Sequence, residues 1–173
     1  MPARLFALLK LSGLSYDAFV DREIYAPLGM KDSGYAWDAP IVPHRARGYT
    51  VKDGVYANAG FIDMSIPMGA GSQYSTVGDL YRWDRALYGS KLLSDASRQA
   101  MFTANAGGYG LGFEVGEEKG RRVIEHNGDI NGFGAFIARY PDEDAVIVIL
   151  TNTEGTKVRA MKDAIAELLF AAP

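Results

Sequence analysis

From residue 109 to residue 151 the chain reads as strand, turn, strand: YGLGFEVGEEKGRRVIEHNGDINGFGAFIARYPDEDAVIVILT. Leu111, Phe113 and Val115 fall on every second position, the period of a half-buried strand. The charged stretch Glu117-Glu118-Lys119-Gly120-Arg121 suits a tight reversal, and a second strand is expected over 122–126. A third follows over 133–140, and Pro141-Asp142-Glu143-Asp144 turns the chain again. Residues 145–150 are uniformly apolar, as in a strand covered on both faces. The pattern predicts a four-stranded antiparallel meander. A polar knot, HNGDINGF, interrupts it between the second and third strands, so His126-Asn127-Gly128 falls at a strand end.

Helical spacing dominates elsewhere. Ser15 can cap a helix that carries Tyr16, Phe19, Val20 and Ile24 on one face, with Pro27 expected to end it. Residues 36–74 look irregular, with Pro40, Pro43, Pro67 and many glycines. Thr76 is the expected N-cap of a helix with Asp79 at N3, a buried stripe of Leu80, Trp83 and Leu87, and a stop at Gly89. Ser94 caps a short helix running to Met101. The last helix places Val158, Met161, Ile165, Leu168 and Leu169 on one face, predicting that this face lies on the sheet. The expected fold is α+β: an antiparallel sheet of about four strands packed against a C-terminal helix, with further helices beside it. Residues 1–173 are read as a single domain, without repeats or a linker.

Composition narrows the function classes. A net charge of −3, and no basic cluster with interleaved aromatics, give nucleic acid no footprint. The absence of cysteine excludes disulfides and thiolate metal sites from these residues. Residues 1–14, MPARLFALLKLSGL, are too short to span a bilayer, so no membrane contact is expected of them. Lys10 interrupts their apolar run and no small-residue cleavage site follows, which argues against a signal peptide. They are expected to be the back half of a helix.

Few residues carry chemistry. His44 and His126 stand far apart, so neither a metal nor any other cofactor is expected. Asp142-Glu143-Asp144 lacks the ligand pattern of a calcium loop. The GAGSQYST loop lacks both the lysine of a P-loop and the spacing of a dinucleotide fingerprint. His126 shares a strand face with Ile124, and Gly128 and Gly132 around it leave bare backbone that a ligand can approach. No serine of the chain is followed by lysine three residues on, and no G-x-S-x-G occurs.

Four segments, in order, resemble the serine β-lactamase-like hydrolases, the superfamily of class C β-lactamases, DD-peptidases and related esterases. They are FVDREIYAPLGMKDSGY, GAGSQYSTVGDLYRWDRALYG, YGLGFEV and EHNGDINGFGAFIARYPDEDAVIVILTN. His126-Asn127-Gly128 resembles the H-x-G variant of the third signature of such enzymes. The resemblance implies that His126 faces the nucleophile, orienting substrate or passing protons. It also implies that Asn127 and Gly128 line the substrate strand, and that the Asp129 backbone N–H is an oxyanion donor. The Ser-x-x-Lys signature is expected upstream of the first segment, and the Y-x-N signature just before residues 5–9. Tyr56-Ala57-Asn58 spells the latter, but after the PLGM segment rather than before it. The chain is therefore expected to be the C-terminal portion of such a hydrolase, a reading compatible with export.

Three functions fit these residues. One is a hydrolase portion, inactive alone, acting on a β-lactam, D-amino-acid peptide or ester once the nucleophile is supplied. Another is a non-catalytic ligand- or partner-binding module of the same ancestry. The third is a hydrolase using His126 with Ser72 or Ser75. By the resemblance, the strand over 145–150 pairs with strands from the N-terminal portion. Left open, that edge is expected to recruit a second copy or an N-terminal partner segment.

Overall fold

The computed structural model describes residue 8, residues 10–105 and residues 107–171. The helix expected over residues 1–14 falls largely outside them. The chain divides into two compact units, one formed by residues 1–43 and 62–92 and the other by residues 44–61 and 93–173.

In the first unit, Ser15 caps helix α1 (Tyr16–Val20) by accepting the Ala18 N–H. The helix widens into a π turn, Asp21–Tyr25, in which the Ala26 N–H reaches back five residues to the Asp21 carbonyl. It closes with a last turn, Ala26–Leu28. Pro27 therefore lies inside the helix instead of ending it. The wide turn precedes a residue that has no N–H to place, and Gly29 at φ +65° supplies the left-handed stop. Val20, Tyr25 and Met30 are buried with Tyr16, Phe19, Ile24, Leu28 and Trp83 packed around them. Helix α2 (Val77–Ala86) is capped by Thr76 as expected, and it ends at Ala86, before Gly89. Its Asp79 does more than face the helix dipole. Wholly buried, its carboxylate accepts the Asp32 N–H and the Ser33 hydroxyl, each at 2.8 Å, and Arg82 at 2.6 Å.

The second unit is built on one antiparallel meander of β3 (Glu114–Glu118), β4 (Arg121–Ile130), β5 (Phe133–Tyr140) and β6 (Ala145–Thr151), in that spatial order. Ahead of it come a hairpin, β1 (Tyr49–Lys52) and β2 (Val55–Asn58), and helix α3 (Asp95–Met101), which Ser94 caps. The hairpin lies in the stretch expected to be irregular. Asp53 and Gly54, at φ +51° and +78°, make the two-residue turn that the twist of paired strands favours. Tyr49 fastens it, donating to the Asn152 carbonyl at 2.9 Å and accepting from the Glu154 N–H at 2.8 Å.

Val123, Phe136, Ala138, Tyr140, Ile147 and Ile149 form the core on one sheet face, closed by Val158 and Ala166 of helix α4 (Val158–Leu169). Each such large apolar side chain contributes roughly 1.5–3 kcal/mol by leaving water. The helix does not lie on the face expected of it. Val158, Lys162 and Ala166 are buried, while Met161, Ile165, Leu168 and Leu169 are exposed. Carboxylates on β3 and β4 cause the difference, because they give Lys162 a charged partner beneath the helix: Glu118 at 3.0 Å and Glu125 at 3.4 Å.

The apolar 145–150 run is not fully covered either. It lies in β6, the outermost strand of the meander, where Ile147 and Ile149 are buried and Leu150 is 40% exposed.

Candidate active site

Strand β4 carries all four candidate residues and is not broken by a knot. It runs through His126-Asn127-Gly128-Asp129 to Ile130, and Asn131 and Gly132 alone turn the chain into β5. Gly132 sits at φ +80°, and a Cβ there would lie 2.6 Å from both the Ala59 Cβ and the Gly48 Cα. Asn131 donates from Nδ2 to the Gly60 carbonyl at 3.2 Å, so the turn is seated on the chain flanking the β1–β2 hairpin.

The two partners of β4 do not run equally far. Pairing with β3 stops at Glu114 opposite Glu125, whereas pairing with β5 continues to Phe133 opposite Ile130. Residues 126–130 thus have one ladder edge that β3 does not occupy. Glu118 faces Arg121 and Ile130 faces Phe133 across two-residue turns, which makes these the hydrogen-bonded closing pairs. Counting inward from either turn, odd-numbered residues of β4 direct their backbone groups toward β3. Asn127 and Asp129 therefore direct theirs to the open edge.

Alternation divides the side chains. His126 and Gly128 share one face, where Ile137 and Ala135 stand opposite them on β5. A Cβ added at Gly128 would meet nothing within 4 Å, so the surface beside His126 is open. His126 is exposed, and its Nε2 lies 2.5 Å from the Tyr109 hydroxyl, with the rings edge to face at 5.9 Å. Asn127 and Asp129 point to the helix side. There, with Ile130, Asn131 and residues 154–159, they line a cleft of about 540 Å³. The strand thus presents an imidazole on one face and an amide and a carboxylate on the other, with its backbone open between them.

Tyr109 has no motif beyond YGLGF to mark it, and its partner lies 17 residues away, across a turn. Hydrophobic alternation could not pair them. Of the serines considered as nucleophiles, Ser72 is wholly buried and donates to the Met64 carbonyl at 2.5 Å. Ser75 lies 2.7 Å from the Ser33 hydroxyl. Both belong to the first unit and serve its packing.

Comparison with known proteins places the chain. The chain is 26% identical over 166 residues to the putative penicillin-binding protein PbpX of Bacillus subtilis (strain 168), covering 95% of this chain and 41% of that protein. It is 26% identical over 184 residues to the D-alanyl-D-alanine-carboxypeptidase/endopeptidase AmpH of Escherichia coli (strain K12), covering 94% and 46%. Among solved structures, the octameric penicillin-binding protein homologue from Pyrococcus abyssi superposes with a TM-score of 0.84 at 22% identity, over 94% of this chain and 39% of that one. The chain spans less than half the length of these relatives. Residues 6–172 match the family model described as Beta-lactamase. The chain belongs to the Beta-lactamase family.

Proposed function

We propose that the chain is the substrate-strand portion of a serine hydrolase of this family. It acts in acyl-transfer hydrolysis of a β-lactam, a D-amino-acid peptide or an ester when a Ser-x-x-Lys nucleophile is supplied from outside its 173 residues. The observation that carries this reading is the open edge of β4 beside His126. An acyl oxygen that gains negative charge needs a donor already fixed in place, and a backbone N–H held in a sheet moves little. The Asp129 N–H is aimed at that edge. Gly128 leaves room for the acyl group on the histidine face. The PbpX and AmpH relatives favour penicillin-like and D-alanyl compounds as the first substrates to try.

Labelling with a fluorescent penicillin and hydrolysis of a chromogenic β-lactam and a nitrophenyl ester test this. The chain alone is expected to show neither. Joined to the N-terminal portion of a relative such as PbpX, it is expected to label and turn over. His126→Ala in that joined protein is expected to lose about 10²–10⁴-fold in turnover, the range for a lost proton-transfer or orienting group. Turnover by the chain alone, or a joined protein that folds without labelling, would overturn the reading. The second result would favour a binding module.

The same reading gives the β6 edge an occupant. Residues 145–150 carry no charge to discourage pairing. On α4, Arg159 reaches Glu114 and Glu125, and Glu167 reaches Lys119, all on the β3–β4 side. Helical spacing turns Met161, Ile165 and Leu168 to the opposite flank, toward β6. We propose that this strip receives a strand of the N-terminal portion, and a second copy of the chain when that portion is lacking. Light scattering across a concentration series is expected to show self-association that Val148→Lys abolishes. A wild-type monomer at every concentration would refute the proposal.

A further inference from the structure

The contact between Tyr109 and His126 joins two backbones that are each held in place. The Tyr109 carbonyl accepts the Asn105 N–H at 2.9 Å, the Gly110 N–H donates to the Phe113 carbonyl at 2.8 Å, and the Leu111 N–H donates to the Met101 carbonyl at 2.9 Å. Gly110 admits no side chain, since a Cβ there would press into the Met101 carbonyl oxygen. Gly108, at φ +78°, uses a conformation that favours glycine. The YGLG loop is thus held at the tyrosine by Asn105 and, two residues on, by Met101 at the end of α3. His126, for its part, sits mid-strand opposite Ile137. The 2.5 Å separation and the edge-to-face rings follow from backbone placement on both sides.

The Tyr109 hydroxyl can donate its hydrogen to a ring nitrogen that carries none. A neutral imidazole has one nitrogen that donates and one that accepts, and the bond made at one fixes the role of the other. We infer that Tyr109 is a positioning residue for His126, donating its hydroxyl to Nε2 and holding the neutral ring as the Nδ1–H tautomer. With Nε2 occupied, the ring offers its remaining nitrogen as a donor. His126 then orients a bound acyl substrate by hydrogen bonding and is not the base that deprotonates the nucleophile. This assignment of role rests on the hydrolase reading above. The tautomer does not.

The chain has two histidines, so the ring nitrogens of a ¹⁵N-histidine-labelled sample give two sets of signals, with His44 as internal reference. With the ring neutral, His126 is expected to show a protonated Nδ1 and a bare Nε2. Tyr109→Phe, which keeps the ring and removes the hydroxyl, is expected to return it to a tautomer mixture. Tyr56→Phe, on the exposed hairpin, is expected to change nothing. A wild-type His126 protonated at Nε2 would overturn the inference, whether or not the variant folds. So would a tautomer unaltered in a Tyr109→Phe protein whose amide spectrum is otherwise preserved. Neither spectrum depends on turnover, so a failed labelling experiment would remove the hydrolase reading without touching this one.

Discussion

Lys162→Ala is expected to destabilise the second unit by about 3–5 kcal/mol, the usual cost of breaking a buried ion pair from one side. The side chain is 3% exposed and its ammonium serves three carboxylates, Asp163 at 2.8 Å, Glu118 at 3.0 Å and Glu125 at 3.4 Å. Glu125 Oε2 is buried without a hydrogen bond and faces that ammonium, while Oε1 of the same carboxylate takes Arg159 at 2.5 Å. Removing it takes the buried cation from between Glu118, left with the Tyr140 hydroxyl, and Glu125, left with Arg159, in a domain whose whole stability is on the order of 5–15 kcal/mol. Urea unfolding followed by circular dichroism measures the loss. Lys162→Met combined with Glu118→Gln is expected to recover part of it, because one orphaned charge goes with its partner. A single variant that unfolds at the wild-type urea concentration would contradict the argument.

The same cluster predicts a pH dependence. Burial pushes the Glu118 carboxyl upward, but hydrogen bonds from Tyr140 and Lys162 outweigh it and hold the group below its ordinary value. Burial would likewise lower the Lys162 ammonium, and Asp163 and Glu118 raise it instead. A carboxyl depressed by folding stabilises the native state fully above its unfolded value, about 4.3 for glutamate, and loses that contribution as pH falls through the folded value. The wild-type urea midpoint should fall in that acid window. In Lys162→Met/Glu118→Gln it should fall less.

Gly132→Ala is the second large effect, expected at about 2–5 kcal/mol. The left-handed conformation at φ +80° costs an L-residue roughly 1–2 kcal/mol, and crowding a packed site adds about 1–3 kcal/mol. The atoms in the way are the Gly48 backbone and the Ala59 Cβ, neither of which can swing aside as a long side chain would. Gly128→Ala, four residues earlier and inside β4, should leave stability unchanged, since a Cβ there meets nothing within 4 Å. Urea midpoints of the two variants, with hydrogen exchange along β4 and β5, separate the cases. Equal losses would show that the turn is not the tight point.

What the chain discloses in advance is mostly local. The reversals at 119–120 and 141–144 give the meander, because each signal needs only neighbouring residues, whereas the alternation expected to make the first strand misleads: Leu111 and Phe113 precede β3, which contains only Val115 of the three. Ser15, Thr76 and Ser94 are readable as caps for the same reason. The C-terminal helix misleads because its most apolar flank is exposed, while its buried lysine is chosen by acids more than thirty residues away. The HNGDINGF stretch misleads through its polarity, which here belongs to a strand whose edge is open. Asn131-Gly132 and Asp53-Gly54 are both hairpin signals of two residues, legible in hindsight yet outweighed by the glycines and prolines around them. Tyr109 could not be found without coordinates, as its role depends on where a loop and a strand come together.

The unbroken β4 also decides which changes of length the gene can accept. One residue inserted between Ile124 and Gly128 would shift every later position of the strand by one. Placed before His126, it would carry the imidazole to the helix side, the amide and carboxylate to the other, and Asp129 off the open edge, all in one event; placed after it, it would still move the carboxylate and the Asp129 backbone. The Lys119-Gly120 turn, by contrast, has its neighbours Glu118 and Arg121 closing the ladder ahead of any such change. Length variants generated along 114–132 should therefore survive at 119–120 and vanish from 124–128, even where each new residue is as small and polar as those already there.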